Sequence, residues 1–433
     1  MSGASARRVA LAVIRRVTED DAYSNLALRA ALDRSGLDAR DRALATELTY
    51  GTLRRLVPLD EELATYLTRP VAATPRAALA VLRLGLHQLR STRIPAHAAV
   101  SESVAIAEPR YRGLVNAVLR RASSSPAPSD AGDDDAAIAR RTGLAPWAVT
   151  SLRRLRPDDV AVAAAGFTRP APLTLRIDRC RADIEEVADA IGATGATVTR
   201  GTVHPASLVI ADLETSPADL PGFAEGWFAT QDQASSFVAT SLEVQPGDRV
   251  ADVCAAPGGK SVLLACGAGA QGLVVAADIA VNRARLVAGS ALRMDHPVRV
   301  VVADARRPPF PAGSFQRVLV DAPCTGLGSA RRRPELLWRA GADAPARMAV
   351  LQREIAVAAA GLLAPGGRLV YSVCTFPVEE TDDVCDALLA AAPNLEPATV
   401  DGPDGPSERV RLWPDRHGCD AMFVAAFRRR TDG

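Results

Sequence analysis

The chain has 433 residues, of which 48% are hydrophobic and 23% are charged. This length predicts two or three domains, and the composition is ordinary for a soluble globular protein. The formal net charge is only +1, so any nucleic-acid surface must be a local patch. Arginine supplies 50 of the 51 basic residues, and Lys260 is the only lysine, which hints at a site that needs a compact ammonium group.

The cysteines and histidines show neither metal-site nor disulfide spacing. The seven cysteines are scattered without a C-x-x-C pair, and the five histidines form no ligand cluster, so we expect reduced thiols and no bound metal. The apolar run Val9–Ile14 is too short for a secretion signal, and no stretch approaches the length of a membrane span. These features predict a cytoplasmic protein with no membrane partner, and we expect a monomer.

The N-terminal region reads as a series of helices. Apolar stripes at helical spacing begin at Val9, Leu44 and Leu79, and almost nothing there alternates with a period of two. We assign residues 1–122 to an all-α domain. Residues 123–135 are rich in Ser, Pro, Gly and Asp and lack a large apolar side chain, which predicts a flexible linker.

Two further regions follow the linker. Residues 136–222 are predicted to form a small mixed α/β segment, and 223–430 an α/β, Rossmann-like domain with a doubly wound parallel sheet. The elements expected in the first region are helices at 136–155 and Ile184–Ile191, and strands at Leu173–Ile177 and Ser207–Ile210. The strands expected in the second are Arg249–Val253, Leu273–Ala277, Val298–Val302, Arg317–Val320 and Arg368–Val373, with helices at Arg283–Arg293 and Met348–Leu363. Ligands bind beyond the carboxyl ends of such strands, so the residues that follow each strand are the candidate site.

The first of these strand ends carries a glycine-rich loop. Its residues are Cys254, Ala255, Ala256, Pro257, Gly258, Gly259 and Lys260. Glycines here let backbone N–H groups approach a ligand at the start of the next helix. A phosphate loop, G-x-x-x-x-G-K-[ST], nearly fits, but its first glycine would be residue 254, which is Cys. An ATPase, with Val318–Asp321 as its magnesium-binding strand, is therefore the alternative.

The next two strand ends each carry an aspartate. Asp278 stands where an acid can accept hydrogen bonds from both hydroxyls of a ribose, and Asp304 where a carboxylate can accept from an adenine amino group. An aspartate at a strand end is often only a turn former, but three successive strand ends of this kind favour a nucleoside site. A ligand with ribose and adenine but no phosphates fits S-adenosylmethionine better than ATP.

The last two strand ends each carry a cysteine. Cys324 lies in Asp321–Gly328, and Cys374 in Tyr371–Thr375. A buried cysteine is more often an inert hydrophobic residue, but two at ligand-facing strand ends suit covalent catalysis. Attack of a thiolate at cytosine C6 makes C5 nucleophilic toward a methyl sulfonium. The reaction also needs a proton donor at N3 and a group that removes the C5 proton, and Asp321 beside the two cysteines supplies these group types.

Several motifs resemble those of the Sun/Fmu family of RNA cytosine-5 methyltransferases. The motifs are DVCAAPGGKS at Asp252–Ser261, DAPCTGLG at Asp321–Gly328, RRRPELLW at Arg331–Trp338 and YSVCT at Tyr371–Thr375. Tyr23–Asn25 and Asp38–Arg55 resemble the NusB-like helical domain of that family. The likeness covers nearly the whole chain, and the linker and Arg181–Thr202 carry least of it.

The resemblance implies a function and a set of site residues. It implies methylation of cytosine C5 in RNA, with small-subunit (16S) ribosomal RNA as the substrate and the helical domain and the small α/β segment as RNA-binding parts. The residues implied to bind S-adenosylmethionine are Cys254–Lys260, Asp278, Arg283, Asp304 and Asp321. Cys374 is implied to be the nucleophile, and Cys324 to assist release of the product. In DNA cytosine methyltransferases, which the Pro-Cys motif also resembles, the two roles are reversed.

The sequence departs from the family pattern at three places. Val373 stands where the family usually has Thr before the nucleophile, so a hydrogen bond that could order this loop is missing. The usual E-E-N is EET at Glu379–Thr381, and the late D-G-F-F is DAMF at Asp420–Phe423. The last two changes leave the chemistry intact, but they make the family pattern a weaker guide to the exact RNA target.

Two groups of arginines are candidate RNA contacts. One is Arg331–Arg333 with Arg339, where Trp338 is expected to stack on a base. The other consists of Arg140, Arg141, Arg153, Arg154 and Arg156. The target cytosine must leave its stack to reach a buried cysteine. A non-catalytic RNA-binding assembly factor with a vestigial enzyme fold is a further alternative, but the intact cysteines and loop argue against it.

Overall fold

The computed structural model describes residues 3–127, 132–213 and 215–431. The chain divides into two compact units: Met1–Arg169 with Ala330–Gly341, and Pro170–Ser329 with Ala342–Gly433. Part of the predicted linker, residues 128–131, lies outside the described residues. Within the described ranges, no helix is both long enough and apolar enough to cross a membrane.

The secondary structure is helical in the first unit and mixed in the second. The α-helices are α1 Gly3–Glu19, α2 Ser24–Asp33, α3 Ala39–Arg54, α4 Leu56–Tyr66, α5 Arg76–Ser91, α6 Ala96–Ile106, α7 Arg112–Ser124, α8 Asp135–Thr142, α9 Pro146–Leu155, α10 Val160–Gly166, α11 Ile184–Gly192, α12 Gln233–Thr240, α13 Gly259–Ala268, α14 Val281–Met294, α15 Leu336–Arg339, α16 Ala344–Gly361, α17 Asp382–Ala391 and α18 Pro414–His417. The strands are β1 Leu173–Ile177, β2 Thr197–Arg200, β3 Ser207–Ala211, β4 Phe228–Thr230, β5 Arg249–Asp252, β6 Leu273–Asp278, β7 Val298–Val302, β8 Phe315–Asp321, β9 Leu363–Val373, β10 Leu395–Ala398, β11 Val400–Gly402, β12 Gly405–Ser407, β13 Arg409–Leu412 and β14 Met422–Arg429. Helices α1–α10 and α15 belong to the first unit.

The first unit is held together by the apolar faces of its helices. Ile14, Leu48 and Leu82 are completely buried, as the helical spacing of the apolar residues predicts. Each such burial contributes about 1.5–3 kcal/mol relative to an exposed side chain. At the start of α3, the Asp38 carboxylate accepts a hydrogen bond from the backbone N–H of Asp41 at 2.8 Å, which satisfies a donor that the helix leaves unpaired.

Residues 330–341 belong to the first unit, although the chain on both sides of them belongs to the second. The indole N–H of Trp338 donates to the backbone carbonyl of Leu53 at 3.0 Å, and the Arg339 guanidinium donates to the carbonyl of Val17. The Glu335 carboxylate is buried and accepts from the backbone N–H of Ser24. The Trp338 ring is partly buried and packs against the helical core, so only its exposed part is available for the predicted stacking on a base.

The segment predicted over 136–222 is divided between the two units. Helices α8–α10 pack within the first unit, whereas β1–β3 pair in the second. The single helix expected at 136–155 is two helices, because Gly143 ends α8 and Pro146 begins α9. The strands at Leu173–Ile177 and from Ser207 onward form as predicted.

The second unit contains the parallel sheet that the sequence predicts. Its main sheet has the order β10-β14-β9-β8-β5-β6-β7, and β13 also pairs with β14. The five predicted strands β5–β9 run parallel, and β14 is antiparallel to β9. A separate antiparallel sheet has the order β2-β3-β1-β4. The strand order reverses between β5 and β8, so a crevice is expected where these two strands end.

The expectation that all cysteines are free thiols is wrong. Cys180 and Cys266 form a disulfide, although they are 86 positions apart. The turn after β1 meets the last turn of α13, and this long-range approach leaves no trace in the spacing of the cysteines. The cysteines of the described residues that are not part of a disulfide are Cys254, Cys324, Cys374, Cys385 and Cys419.

Candidate active site

The loop after β5 has a shape that only glycine allows at one position. Gly258 has φ of +106°, and a Cβ on it would lie 2.8 Å from the Cα of Val287 in α14. Helix α13 therefore starts in close contact with α14 and directs its first N–H groups to the end of the sheet. Behind the loop, the buried Asp252 carboxylate accepts from the Ser261 hydroxyl at 2.7 Å. Burial raises the pKa of Asp252 to about 7.

The remaining loop residues contribute backbone rather than reactive side chains. The Ala255 N–H donates to the Ala277 carbonyl at 2.9 Å, which ties the loop to β6. The Pro257 carbonyl accepts from the Ser290 hydroxyl at 3.0 Å. Burial raises the pKa of the Cys254 thiol strongly, so this cysteine remains neutral and is not a candidate nucleophile.

The only lysine of the chain lies where the strand order reverses. The Lys260 ammonium donates to the Asp321 carboxylate at 2.7 Å, and the Ser372 hydroxyl donates to the other Asp321 oxygen at 2.9 Å. Burial alone would lower the pKa of Lys260, but the charge and hydrogen bond of Asp321 outweigh it, Cys374 adds to the effect, and the pKa is raised. A permanent positive charge therefore faces Cys374 at the end of β9.

Asp278 links the loop to the next strand and helix. Its side chain is only 5% exposed, and it accepts from the Ala280 N–H and from the Arg283 guanidinium, both at 3.1 Å. It also accepts from the Ala256 N–H at 3.3 Å. The structure thus brings Asp278, Arg283 and the glycine-rich loop together, as expected of residues that share one ligand.

Asp304 lies at the margin of this group. The backbone N–H of Ala303 donates to the Asp278 carbonyl, which brings the end of β7 next to the end of β6. The Asp304 carboxylate, however, accepts from the Arg306 side chain at 2.7 Å and from its N–H. These hydrogen bonds lower the pKa of Asp304 to about 2. Asp304 also lines an open groove of about 840 Å³ with Arg353 and Glu354.

The two predicted cysteines are neighbours. The Cys324 and Cys374 sulfurs are 3.4 Å apart, on the loop after β8 and at the end of β9. The hydrogen bond with Cys374, followed by burial and by the charge of Cys374, raises the pKa of Cys324 well above its ordinary value. Either sulfur can be the donor in this contact, and Cys374 also lies within the field of the Lys260 ammonium.

Gly328 fixes the distance between the two cysteine loops. Its N–H donates to the Cys374 carbonyl at 2.9 Å, and its carbonyl accepts from the Ala421 N–H at 3.0 Å. A Cβ at this position would collide with the Ala421 backbone. The last glycine of the DAPCTGLG motif is therefore explained by close packing against the loop that holds Cys374.

A buried carboxylate that sequence reasoning did not assign to the site also joins the loops. Glu380 is completely buried and accepts from the Thr325 N–H at 2.9 Å, the Thr325 hydroxyl at 2.5 Å and the Gln352 amide at 2.9 Å. The Thr325 and Thr375 hydroxyls are 2.8 Å apart, so each residue after a cysteine is held. Burial raises the pKa of Glu380, although its hydrogen bonds oppose this. The only sequence signal was its place in the EET motif.

The second group of arginines is mostly engaged within the first unit. Arg153 pairs with Asp135 at 2.7 Å, and Arg156 is buried and pairs with Asp159. Arg154 is exposed. Arg141 pairs with Asp133 at 3.4 Å. A continuous phosphate-binding surface over all five arginines is therefore not formed, because three of them neutralise neighbouring acids.

The crevice is suited to a nucleoside with a sulfonium centre. Asp278 offers a carboxylate for hydroxyl groups, and the Lys260–Asp321 ion pair lies beside Cys374. Five parallel strands that reverse order at this crevice, extended by the antiparallel β14, define the Rossmann-like fold of S-adenosylmethionine-dependent methyltransferases. The predicted fold class is therefore confirmed.

Solved structures and curated relatives agree with this class. The crystal structure of PH0851 superposes with a TM-score of 0.85 at 23% identity over 99% of each chain. A methyltransferase homolog protein from Pyrococcus horikoshii superposes with a TM-score of 0.59 at 24% identity, over 69% of this chain and 100% of its own. The probable ribosomal RNA small subunit methyltransferase B of Bacillus subtilis is 32% identical over 99% of this chain and 100% of its own.

Family models cover both units. Residues 239–428 match the family described as 16S rRNA methyltransferase RsmB/F, and residues 4–124 match the NusB family. The ribosomal RNA small subunit methyltransferase B of Pseudomonas putida is 36% identical, and the putative methyltransferase Rv1407 of Mycobacterium tuberculosis 38% identical, over at least 97% of both chains. The chain belongs to the RsmB/F methyltransferase family and carries an N-terminal NusB domain. This confirms the resemblance and disfavours the ATPase alternative.

Proposed function

We propose that this protein transfers a methyl group to C5 of a cytosine in small-subunit (16S) ribosomal RNA through a covalent cysteine adduct. The observation that carries the proposal is the pair of sulfurs 3.4 Å apart beside Lys260, at the crevice where the strand order reverses. The names of the Bacillus subtilis and Pseudomonas putida relatives support ribosomal RNA as the substrate.

The cofactor would be held by the residues that surround this crevice. The proposed set is Cys254–Lys260, Asp278, Arg283, Asp304 and Asp321. Asp278 would give up part of its hydrogen bonding to Arg283 and accept hydrogen bonds from the ribose hydroxyls. Asp304 would contact the adenine base. When bound, S-adenosylmethionine supplies an electrophilic methyl group for cytosine C5. Asp321 stays fixed between Lys260 and Ser372, and its carboxylate would stabilise cytosine N3 in the protonated form, with the proton supplied by water.

The first covalent step belongs to Cys374. Its thiolate, stabilised by the Lys260 ammonium, forms a bond to cytosine C6, and the electrons of the C5–C6 double bond move onto the ring as N3 accepts a proton. C5 thereby becomes the nucleophile. Pre-positioning of the sulfur by Gly328 and the Thr325–Thr375 contact reduces the entropy that the attack must lose.

The second step uses the change in charge that the first produces. The raised pKa of Cys324 results first from its hydrogen bond to Cys374, then from burial and the charge of Cys374. Once Cys374 is a neutral thioether, the hydrogen bond and the charge are gone, so the pKa of Cys324 falls. Cys324 then loses its proton to water, and its thiolate removes the C5 proton. The C5–H electrons restore the C5–C6 double bond, the C6–S bond breaks, Cys374 leaves as a thiolate, and N3 returns its proton to water.

The two cysteines are distinguished by substitution. We expect Cys324→Ala to form the adduct but fail to release it, so that a protein–RNA species survives denaturing electrophoresis. Cys374→Ala and the double variant should show none, because no thiolate attacks C6. All variants are run on one gel with the same ribosomal RNA, and 5-methylcytosine is mapped in parallel.

Three outcomes of this experiment contradict the proposal in different ways. An adduct with Cys374→Ala but none with Cys324→Ala reverses the roles. Normal turnover of Cys324→Ala makes that cysteine a packing residue. Full biological activity of Cys374→Ala makes the protein a non-catalytic assembly factor.

The cofactor is tested by equilibrium binding. We expect labelled S-adenosylmethionine to bind the wild-type chain, and Asp278→Asn to bind it about tenfold more weakly, because one charged acceptor is lost. Magnesium-dependent binding of ATP in place of S-adenosylmethionine would restore the ATPase interpretation.

A further inference from the structure

A second cluster of chemically reactive side chains lies in the second unit, away from the crevice. Asp178 follows β1, Cys180 is two residues later, Cys266 is in the last turn of α13, and His296 follows α14. The His296 Nε2 atom is 2.6 Å from the Asp178 carboxylate. Cys180 and Cys266 are joined by the disulfide. None of these residues takes part in the proposed methyl transfer.

The geometry of the cluster is that of a metal site. Ligand atoms of Asp178, Cys266 and His296 all lie within 4.8 Å of one another, and the Cys180 sulfur is bonded to that of Cys266. In a tetrahedral zinc site, neighbouring ligand atoms are roughly 3.3–3.8 Å apart, so small side-chain movements suffice to bring Asp178, Cys266 and His296 onto one ion. Reduction of the disulfide frees the Cys180 sulfur, which lies next to that of Cys266, to take the fourth position. Two thiolates, an imidazole and a carboxylate are ligands that zinc accepts.

The residues around the cluster support the ligands from behind. Asp178 is completely buried; its carboxylate accepts from the Cys180 N–H at 3.1 Å, and its own N–H donates to the Trp227 carbonyl. The Arg181 side chain pairs with Asp295 at 2.8 Å, immediately before His296. Fixed ligands of this kind lower the entropy cost of binding an ion.

The surrounding charge also suits a metal with two thiolates. A zinc ion bound by two thiolates, one carboxylate and one neutral imidazole has a net charge of −1. Arg176 is completely buried, and its guanidinium interacts electrostatically with Asp178. Among the described residues, its two terminal nitrogens have no hydrogen-bond partner. This buried cation compensates the extra negative charge.

We propose that Asp178, Cys180, Cys266 and His296 bind one Zn²⁺ when the two cysteines are reduced, and that oxidation of the cysteines releases the ion. With hydrogen peroxide as oxidant, the two zinc-bound thiolates give up two electrons and form the disulfide. The peroxide takes up these electrons and two protons and yields two waters, and Zn²⁺ leaves as the free ion.

Both forms of the site join the same elements. The disulfide links the turn after β1 to α13, and the zinc ion would link that turn to α13 and to His296, two residues after α14. These two helices begin next to Lys260 and Asp278 at the crevice. The reduced, metal-free protein is then the only state without a covalent or coordinate link between the antiparallel sheet and these helices.

The proposal is tested with Co²⁺ as a spectroscopic probe on the full chain, reduced and freed of metal. We expect one Co²⁺ per chain, with thiolate-to-cobalt charge-transfer absorption, and displacement by Zn²⁺. Cys180→Ser, which alters an exposed position, and His296→Ala should each weaken binding at least about tenfold. Prior treatment with peroxide should abolish binding, and a thiol-free reductant should restore it.

The matched control is the Cys324→Ala/Cys374→Ala double variant, which lacks the other cysteine pair and should retain the cobalt spectrum. Loss of the spectrum in this control together with its retention in Cys180→Ser would assign the metal to the active site and overturn the proposal. A reduced wild-type chain without charge-transfer absorption would overturn it as well, and would leave the disulfide as a simple covalent link.

Discussion

Two titratable side chains, one in each unit, are buried to nearly the same extent but differ in their hydrogen bonding. His87 in α5 is 1% exposed, and among the described residues neither of its ring nitrogens has a hydrogen-bond partner. Glu380 is 0% exposed and accepts three hydrogen bonds from Thr325 and Gln352. Burial moves both pKa values toward the neutral form. Burial alone therefore does not identify a functional group, whereas hydrogen-bond partners from distant segments of the chain do.

The largest effect is expected when Glu380 is removed. Glu380→Ala leaves three buried donors without an acceptor, so we expect the free energy of unfolding to fall by about 4 kcal/mol. The loops that carry Cys324 and Cys374 lose their common anchor, and methyl transfer should slow by at least about tenfold. Urea unfolding and single-turnover methylation measure the two effects.

The neighbouring Glu379 provides the control for this experiment. Glu379 is partly exposed, so Glu379→Ala should change the stability by less than about 0.5 kcal/mol. If Glu380→Ala and Glu379→Ala had equal stabilities and equal methylation rates, Glu380 would contribute no more than its partly exposed neighbour.

A smaller effect is expected from His87, and it depends on pH. Burial, with Arg55 and Arg54 adding to it, lowers the pKa of His87 from 6.5 to about 4. Between these values the unfolded chain binds a proton that the folded chain does not, so stability falls as the pH decreases from 6.5 to 4. The loss amounts to about 3 kcal/mol and is complete below pH 4.

The contribution of His87 to the pH dependence of stability is the difference between the wild type and a variant without this imidazole. His87→Leu cannot bind a proton, so its urea-unfolding free energy should fall less steeply than that of the wild type over this pH range. Parallel pH dependences for the two proteins would assign the acid sensitivity to other groups.

The smallest effect is expected from Glu380→Gln. The amide keeps the size of the side chain and one acceptor oxygen, but its NH₂ group faces a donor, and we expect a loss of about 1 kcal/mol. Methylation should be closer to wild type than in Glu380→Ala. If the Gln variant is as inactive as the Ala variant, methylation requires the negative charge of Glu380. Positioning of the loops by hydrogen bonds would then not explain the effect of the residue.

The sequence predicts the parts of the fold that depend on local patterns. Alternating apolar runs and helices locate the strands β5–β9, and the parallel arrangement then brings the loop after β5, Asp278 and the two cysteines to one edge. The sequence does not predict contacts between segments that are far apart in the chain. The Glu380 network, the Cys180–Cys266 disulfide and the packing of Trp338 are all of this kind.

The packing of residues 330–341 within the helical unit has a consequence for biosynthesis. The ribosome synthesises Met1–Arg169 first and then most of the parallel sheet, before Trp338 leaves the exit tunnel. Until then the carbonyl of Leu53 lacks its indole donor and the backbone of Ser24 lacks Glu335. The nascent helical unit therefore remains incomplete until residues 330–341, which are synthesised much later, can pack against it. A fragment that ends at Arg169 lacks this piece permanently.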